Sequence, residues 1–270
     1  MTFPCRLKQV TTYRFVKVFG ERGSGTNFLH QLIAKNFDVK VIANISGPTP
    51  DERELIDAIP ENRRRPGLIA ERLADAHHLD QMPRNAGWKH ACLTDRMFQT
   101  YGRAEKTLFL CIVRHPALWL TSFATNPYHG FNTKAQDLDE FIATPWVTRA
   151  RDEVADVFLK SPALLWKLKV QSYLEHADRR ENVLILRHED LLLDHGAVLD
   201  ELTPLLPRSA ADWTLPEDYA RRWVDKVRDF WSIQKALPDQ PFDTISPGQA
   251  QHLRDVIGDE LIERAGYELL

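Results

Sequence analysis

Glycines, hydroxyls and a cation are gathered between Gly20 and Phe28, in the order Gly-Glu-Arg-Gly-Ser-Gly-Thr-Asn-Phe. Gly20, Gly23 and Gly25 permit backbone angles closed to other residues, so the chain can turn sharply there with its N–H groups exposed. Together with Arg22, the Ser24 and Thr26 hydroxyls and the Asn27 amide, such a turn can hold an anion. Gly20 and Gly25 stand at the Walker A spacing, but Thr26 and Asn27 occupy the positions where that motif has Lys and then Ser or Thr. A phosphate loop without the Walker lysine argues against an ordinary ATPase. The plainer alternative is a glycine turn that only joins a strand to a helix; Arg22, Ser24, Thr26 and Asn27 favour the anion. Arg114 closes an apolar run, and Ser122 follows about two helical turns later. An arginine at the carboxyl edge of an open α/β sheet stands where ligands bind. As a structural residue it would need a nearby carboxylate, and the sequence around it offers none. His129, in the turn-rich stretch Asn126 to Asn132, is a further candidate on that face. Lys89 and His90 lie within Ala86 to Leu93, where a buried histidine on a backbone partner and a snorkelling lysine form the simpler reading.

These residues must be positioned by strands and helices that the hydrophobic pattern outlines. Phe15, Val16, Val18 and Phe19 make a short buried strand leading into the glycine turn, and Thr26 begins a helix with Phe28, Leu29, Leu32 and Ile33 on its apolar face. Thr107 to Val113 is continuously apolar, which predicts a strand buried on both faces and parallel to its neighbours. Pro116 then suits the first turn of a helix over Ala117 to Phe123. Further strands are expected at Val39 to Ile42, Ala86 to Leu93 and Val183 to Leu186. Helices are expected at Asp51 to Ile59, Leu68 to Leu79, Leu138 to Ile142, Val147 to Leu159, Ala163 to His176, Glu217 to Trp231, Pro247 to Ile257 and Asp259 to Ala265. Strands alternating with helices predict an α/β protein: three layers, α/β/α, around a central and mostly parallel sheet.

Composition narrows the class. A chain of 270 residues with 43% hydrophobic content can bury a full core as a single domain over 1–270. A formal net charge of −3 gives no reason to expect nucleic acid as a partner, and the run Arg63 to Arg65 reads as a solvated face. Cys5, Cys92 and Cys111 follow no metal-binding spacing and suit reduced thiols. No apolar run approaches bilayer length, so a cytoplasmic protein without a membrane span is expected.

Taken in order, these motifs resemble the sulfotransferase family that uses 3′-phosphoadenosine 5′-phosphosulfate. Arg22-Gly23-Ser24-Gly25-Thr26-Asn27-Phe28 is similar to its phosphosulfate loop, with one extra residue between the cation and the serine. Arg114, Pro116 and Ser122 match its 3′-phosphate element in type and spacing, Trp88-Lys89-His90 falls where it has a Lys/His strand, and His188-Glu189-Asp190-Leu191 stands for its Tyr-Glu-Asp-Leu. Leu261 to Tyr267 resembles its closing helix. The resemblance implies a P-loop-like nucleotide-binding fold. It assigns the 5′-phosphosulfate to residues 22–27, the adenine to Phe28 and the 3′-phosphate to Arg114 and Ser122. No clean match to the family's C-terminal basic segment exists; Arg221, Arg222, Lys226 and Lys235 are the available stand-ins.

The resemblance further implies an enzyme that moves a sulfuryl group to a hydroxyl, or less readily an amine, of a small molecule or glycan, without a metal. His90 is the expected general base with Lys89 as partner, His129 and Glu21 are rival bases, and Arg22 is the cation at the breaking bond. Acceptor-site insertions are expected around 44–80 and 126–160, with Tyr128, His129, Phe131 and Trp146 as lining candidates. Two other readings compete: an atypical P-loop kinase, and a nucleotide-binding module without chemistry.

Overall fold

In the computed structural model, the residues described are 12–44, 48–60, 66–125, 135, 137–209, 211–216 and 245–269. Cys5, the arginine run at 63–65, the 126–132 stretch with Tyr128, His129 and Phe131, and the helix expected at 217–231 lie outside the described residues. Arg221, Arg222, Lys226 and Lys235 do so as well.

The central sheet has four parallel strands in the order β2 (Lys40–Val41), β1 (Phe15–Phe19), β3 (Thr107–Val113) and β6 (Val183–Arg187). Side chains of a strand alternate between faces, and β3 uses both. Leu108, Leu110 and Ile112 pack with Val16 and Val18 of β1 and with Leu29, Leu32 and Ile33 of α1 (Thr26–Asn36). The same layer receives Leu191 from α8 (His188–Leu193) and Leu199 and Leu202 from α9 (His195–Leu202). Phe109, Cys111 and Val113 face the other way, onto Trp119 and Leu120 of α5 (Pro116–Thr125) and Trp166, Val170 and Tyr173 of α7 (Pro162–Arg179). Leu253 and Ile257 of α10 (Pro247–Ile257) and Ile262 of α11 (Asp259–Arg264) complete that layer. Helices thus cover both faces of a parallel sheet, as the alternating pattern predicts.

Helix starts follow their caps. Thr49 and Glu52 form a capping box at α2 (Pro50–Ala58), Ser246 and Gln249 form another at α10, and Ser161 caps α7 ahead of Pro162. The remaining helices are α3 (Pro66–Asn85), α4 (Asp95–Thr100) and α6 (Leu138–Ala143). Among the described residues, no helix is long and apolar enough to cross a membrane.

Two expected elements take a different form. Ala86 to Leu93 is not a strand. Both sides of β1 are already occupied, by β2 and β3, so the segment meets its end through a backbone bond from the Gly20 N–H to the Lys89 carbonyl at 2.9 Å and through side-chain bonds, not as a paired strand. Ala86 and Gly87 sit in the left-handed region, φ 58° and 80°, which ends α3 and turns the chain. Val147 to Leu159 is not a helix. It forms a short antiparallel pair, β4 (Trp146–Val147) with β5 (Phe158–Leu159), around a 3-10 turn at Ala150–Asp152. Arg149 and Arg151 leave this turn to pair with Glu71 and Asp75 of α3, and Asp152 turns inward to Lys169; these distant partners override local helical propensity.

Strand β1 ends at a glycine that the sheet requires. A Cβ on Gly20 would stand 2.5 Å from the Ile112 carbonyl oxygen and 2.6 Å from Ile112 Cγ2. A backbone atom paired in the sheet cannot yield as a side chain can. Gly20→Ala should therefore cost at least about 2 kcal/mol of stability, read from the denaturant midpoint; a midpoint equal to the parent's would show that the turn has room to shift.

Candidate functional site

The turn after β1 is built from both ends. The Glu21 carboxylate is buried, accepts the Arg22 N–H through Oε1 at 2.6 Å, and pairs with the buried ammonium of Lys169. Gly23 and Gly25 follow with φ of 79° and 81°, the left-handed angles that a glycine adopts without strain. α1 then starts at Thr26 with no side-chain cap and no acidic residue in its first turn. The positive end of the helix and its N–H groups are thereby left to a ligand.

The β3–α5 junction meets this turn at Gly23. Arg114 Nη1 donates to the Gly23 carbonyl at 2.8 Å, and a Cβ on Gly23 would come within 3.4 Å of Ser122 Oγ. Arg114 and Ser122, separated in sequence, thus reach the same residue of the loop. The carboxylate that Arg114 needs is supplied from far along the chain. Burial lowers the Arg114 pKa, and the Glu189 charge offsets part of that effect. Glu189 also accepts the His115 N–H at 3.0 Å, and the Tyr267 hydroxyl lies 2.7 Å from its other oxygen. His188 supports the loop from behind: a Cβ on Gly25 would stand 2.8 Å from His188 Cδ2. Phe28 is buried in the α1 layer, together with Leu29.

Cations line the opposite side of the turn. Lys89 Nζ bonds to Asn27 Oδ1, which places it over the start of α1, and the Lys89 N–H bonds to Asn44 Oδ1 at 2.9 Å. Burial, and then the Arg22 charge, pushes Lys89 down to about 8. Lys17, inside β1, is fully buried and donates to the Ala43 and Gly87 carbonyls at 3.1 and 2.9 Å. Burial, and then Lys89, brings it down to about 7. Among the described residues neither lysine pairs with a carboxylate.

His90 is buried, with Nδ1 2.6 Å from the Gly20 carbonyl oxygen. A carbonyl can only accept, so Nδ1 carries the proton and Nε2 keeps its lone pair. Burial, followed by the charges of Lys89 and Arg22, holds the ring well below the usual histidine range, and it is neutral near pH 7.

The structure therefore brings together Arg22, Gly23, Ser24, Gly25, Thr26, Asn27, Lys89, His90, Arg114 and Ser122. Of the rival bases, Glu21 is spent on Lys169 and the Arg22 N–H, and His129 lies outside the described residues. Sequence reading misses Lys17, whose only signal is a lysine inside an apolar strand, and Lys169, which carries none. Among the described residues, no group of His, Cys, Asp and Glu could hold a metal ion. Against known protein families and characterised proteins, the chain shows no match.

His90, His188 and His115 are all held neutral by burial, His115 at about 4. Unfolded, each takes a proton near 6.5; folded, only at lower pH. The unfolded state then binds more protons below 6.5, so stability falls as pH drops through that range. Glu189, raised by burial, works in the opposite sense toward acid. Melting temperature should decline from pH 6.5 toward about pH 5, and His188→Asn should flatten the slope by about one proton. A variant as steep as the parent would show that His188 takes no part in this titration.

Proposed function

We propose that the chain is a sulfotransferase with a P-loop-like nucleotide site, taking 3′-phosphoadenosine 5′-phosphosulfate as donor and a hydroxyl of a small molecule or glycan as acceptor. The observation that carries this reading is the meeting at Gly23 of two elements suited to anions, the uncapped start of α1 and the Arg114/Ser122 junction. A donor with phosphate at both ends needs two such elements. Lys89, half-buried beside Arg22 and pairing with no carboxylate among the described residues, adds a third source of positive charge. The buried thiols Cys92 and Cys111 are compatible with a reducing, cytoplasmic setting.

In this reading the loop N–H groups and Arg22 receive the 5′-phosphosulfate, and Arg114 with Ser122 receives the 3′-phosphate. The acceptor hydroxyl gives its proton to His90 Nε2 as its oxygen attacks sulfur. The bond between sulfur and the bridging oxygen of the 5′-phosphate breaks, and adenosine 3′,5′-bisphosphate leaves. Negative charge grows on that bridging oxygen, where Arg22 and Lys89 favour the transition state over the ground state. The tautomer set by Gly20 prepares His90 for this role without a carboxylate partner.

A panel of acceptors incubated with labelled donor tests the activity directly, and adenosine 3′,5′-bisphosphate should raise the melting temperature without Mg²⁺. Stabilisation by ATP only with Mg²⁺ would point to a kinase. By calorimetric titration, Arg114→Ala should weaken bisphosphate binding by about 2–3 kcal/mol, the value of a charge-assisted bond. Ser122→Ala should cost about 1 kcal/mol. Both variants binding like the parent would sink the 3′-phosphate assignment.

His90→Ala should lower turnover about 10²–10⁴-fold while nucleotide affinity stays nearly intact. Full turnover in that variant would make His90 a core histidine and nothing more.

A further inference from the structure

Trp88 lies at the centre of a ring of basic side chains. The Arg22 guanidinium is 4.9 Å from its ring centre, that of Arg151 4.7 Å, and Lys169 Nζ 5.5 Å. His90 meets the same ring edge-on, 5.0 Å away with an interplanar angle of 84°. The indole is 4% exposed and is fixed from several directions. Its backbone N–H donates to His78 Nδ1 at 2.9 Å, and His78 Nε2 lies 2.6 Å from Glu153 Oε1. Arg151 is itself held by Glu71 and Asp75 of α3, at 2.5 and 2.8 Å, and Lys169 by Glu21 and Asp152.

Arg22 differs from the other two cations. It is only half-buried, and it belongs to the glycine loop. Its backbone is tied down, with the N–H on Glu21 and the carbonyl accepting Trp119 Nε1 at 2.9 Å. A long side chain on a fixed backbone still has several rotamers, which an aromatic face beside the guanidinium reduces. Stacking engages the face of a guanidinium and does not itself use its in-plane N–H groups.

We infer that Trp88 is a positioning residue, whose ring seats the Arg22 guanidinium against the anion bound by the glycine loop. The inference rests on the sulfuryl-transfer reading for its kinetic consequence, though the seat itself is a property of the chain alone. Because the charge at the breaking bond grows only in the transition state, a misplaced Arg22 should slow turnover more than it weakens donor binding. His90 meets the same ring only edge-on and is held by its own bond to the Gly20 carbonyl, so loss of the indole acts on Arg22 first.

A double-mutant cycle tests this. Trp88→Leu should lower kcat about tenfold and move the donor KM by less than about threefold. In an Arg22→Ala background the same change should alter kcat by less than about twofold. Trp88→Phe, which keeps a smaller ring, should restore about half of that loss on a logarithmic scale. Equal losses in both backgrounds would overturn the proposal and leave Trp88 as core packing. If Trp88→Leu does not fold, Trp88→Phe carries the cycle, with a loss of about threefold expected only where Arg22 is present. A second measurement needs no catalysis. The Arg22 Nε–H signal, assigned by its loss in Arg22→Ala, should be ring-current shifted in the parent, move in Trp88→Phe, and respond to inorganic pyrophosphate. A signal that ignores the ring substitution overturns the proposal. A parent that transfers no sulfuryl group to any acceptor sinks the sulfotransferase reading alone, and the spectrum then decides on Trp88.

Discussion

A single buried ammonium holds both halves of the site. Lys169, on α7, lies between Glu21 of the glycine turn and Asp152 of the 3-10 turn, with essentially no exposure. Burial works against its charge, but Asp152 and Glu21 more than offset this and raise its pKa above the ordinary value. Each carboxylate also orders backbone: Glu21 takes the Arg22 N–H, and Asp152 takes the Arg149 N–H while its carbonyl takes that of Cys92. The anion loop and the turn carrying Lys89 and His90 are therefore fixed by one charge. Removing one member of such a group leaves an uncompensated charge in the interior, which is far costlier than replacing the whole group.

The site's electrostatics divide along this line. Cations that support structure, Lys169, Arg149 and Arg151, have carboxylates within reach. Lys17 and Lys89 rely on neutral oxygens, and both lose basicity to burial and to neighbouring positive charge. A polyanion arriving at the loop would relieve that repulsion.

How much of this is legible in sequence depends on the range of the forces involved. β1, β3, α1 and α5 follow from local patterns of apolar residues, glycine and proline, and the Gly20–Phe28 and Arg114/Ser122 motifs sit where those patterns put them. The segments at 86–93 and 147–159 depart from their local patterns because partners from 60 or more positions away decide parts of their shape, such as Asp152 for Cys92, or Glu71 and Asp75 for Arg149 and Arg151. Glu189, the acid whose charge supports Arg114, follows β6, which neighbours β3 in the sheet but lies more than 70 positions on in sequence, and no local spacing reveals the pairing. In sequence, Lys17 and Trp88 look like an interruption in a strand and an ordinary core aromatic, and only the fold makes them neighbours of the site.

The strand order has a consequence for how the chain comes to be folded. β3 is central, yet its partners β1 and β6 lie far from it in sequence on either side, in register Phe15 with Thr107 and Phe109 with Val183. Closing those loops is slow compared with forming any one helix. Gly20 and Gly23 acquire their neighbours Ile112 and Ser122 when β1 pairs with β3, and Gly25 acquires His188 only when β6 has joined as well. The glycine loop is thus complete only with the finished sheet, and any ligand able to bind it would act on the folding equilibrium as a latch, selecting chains that have already paired β1, β3 and β6.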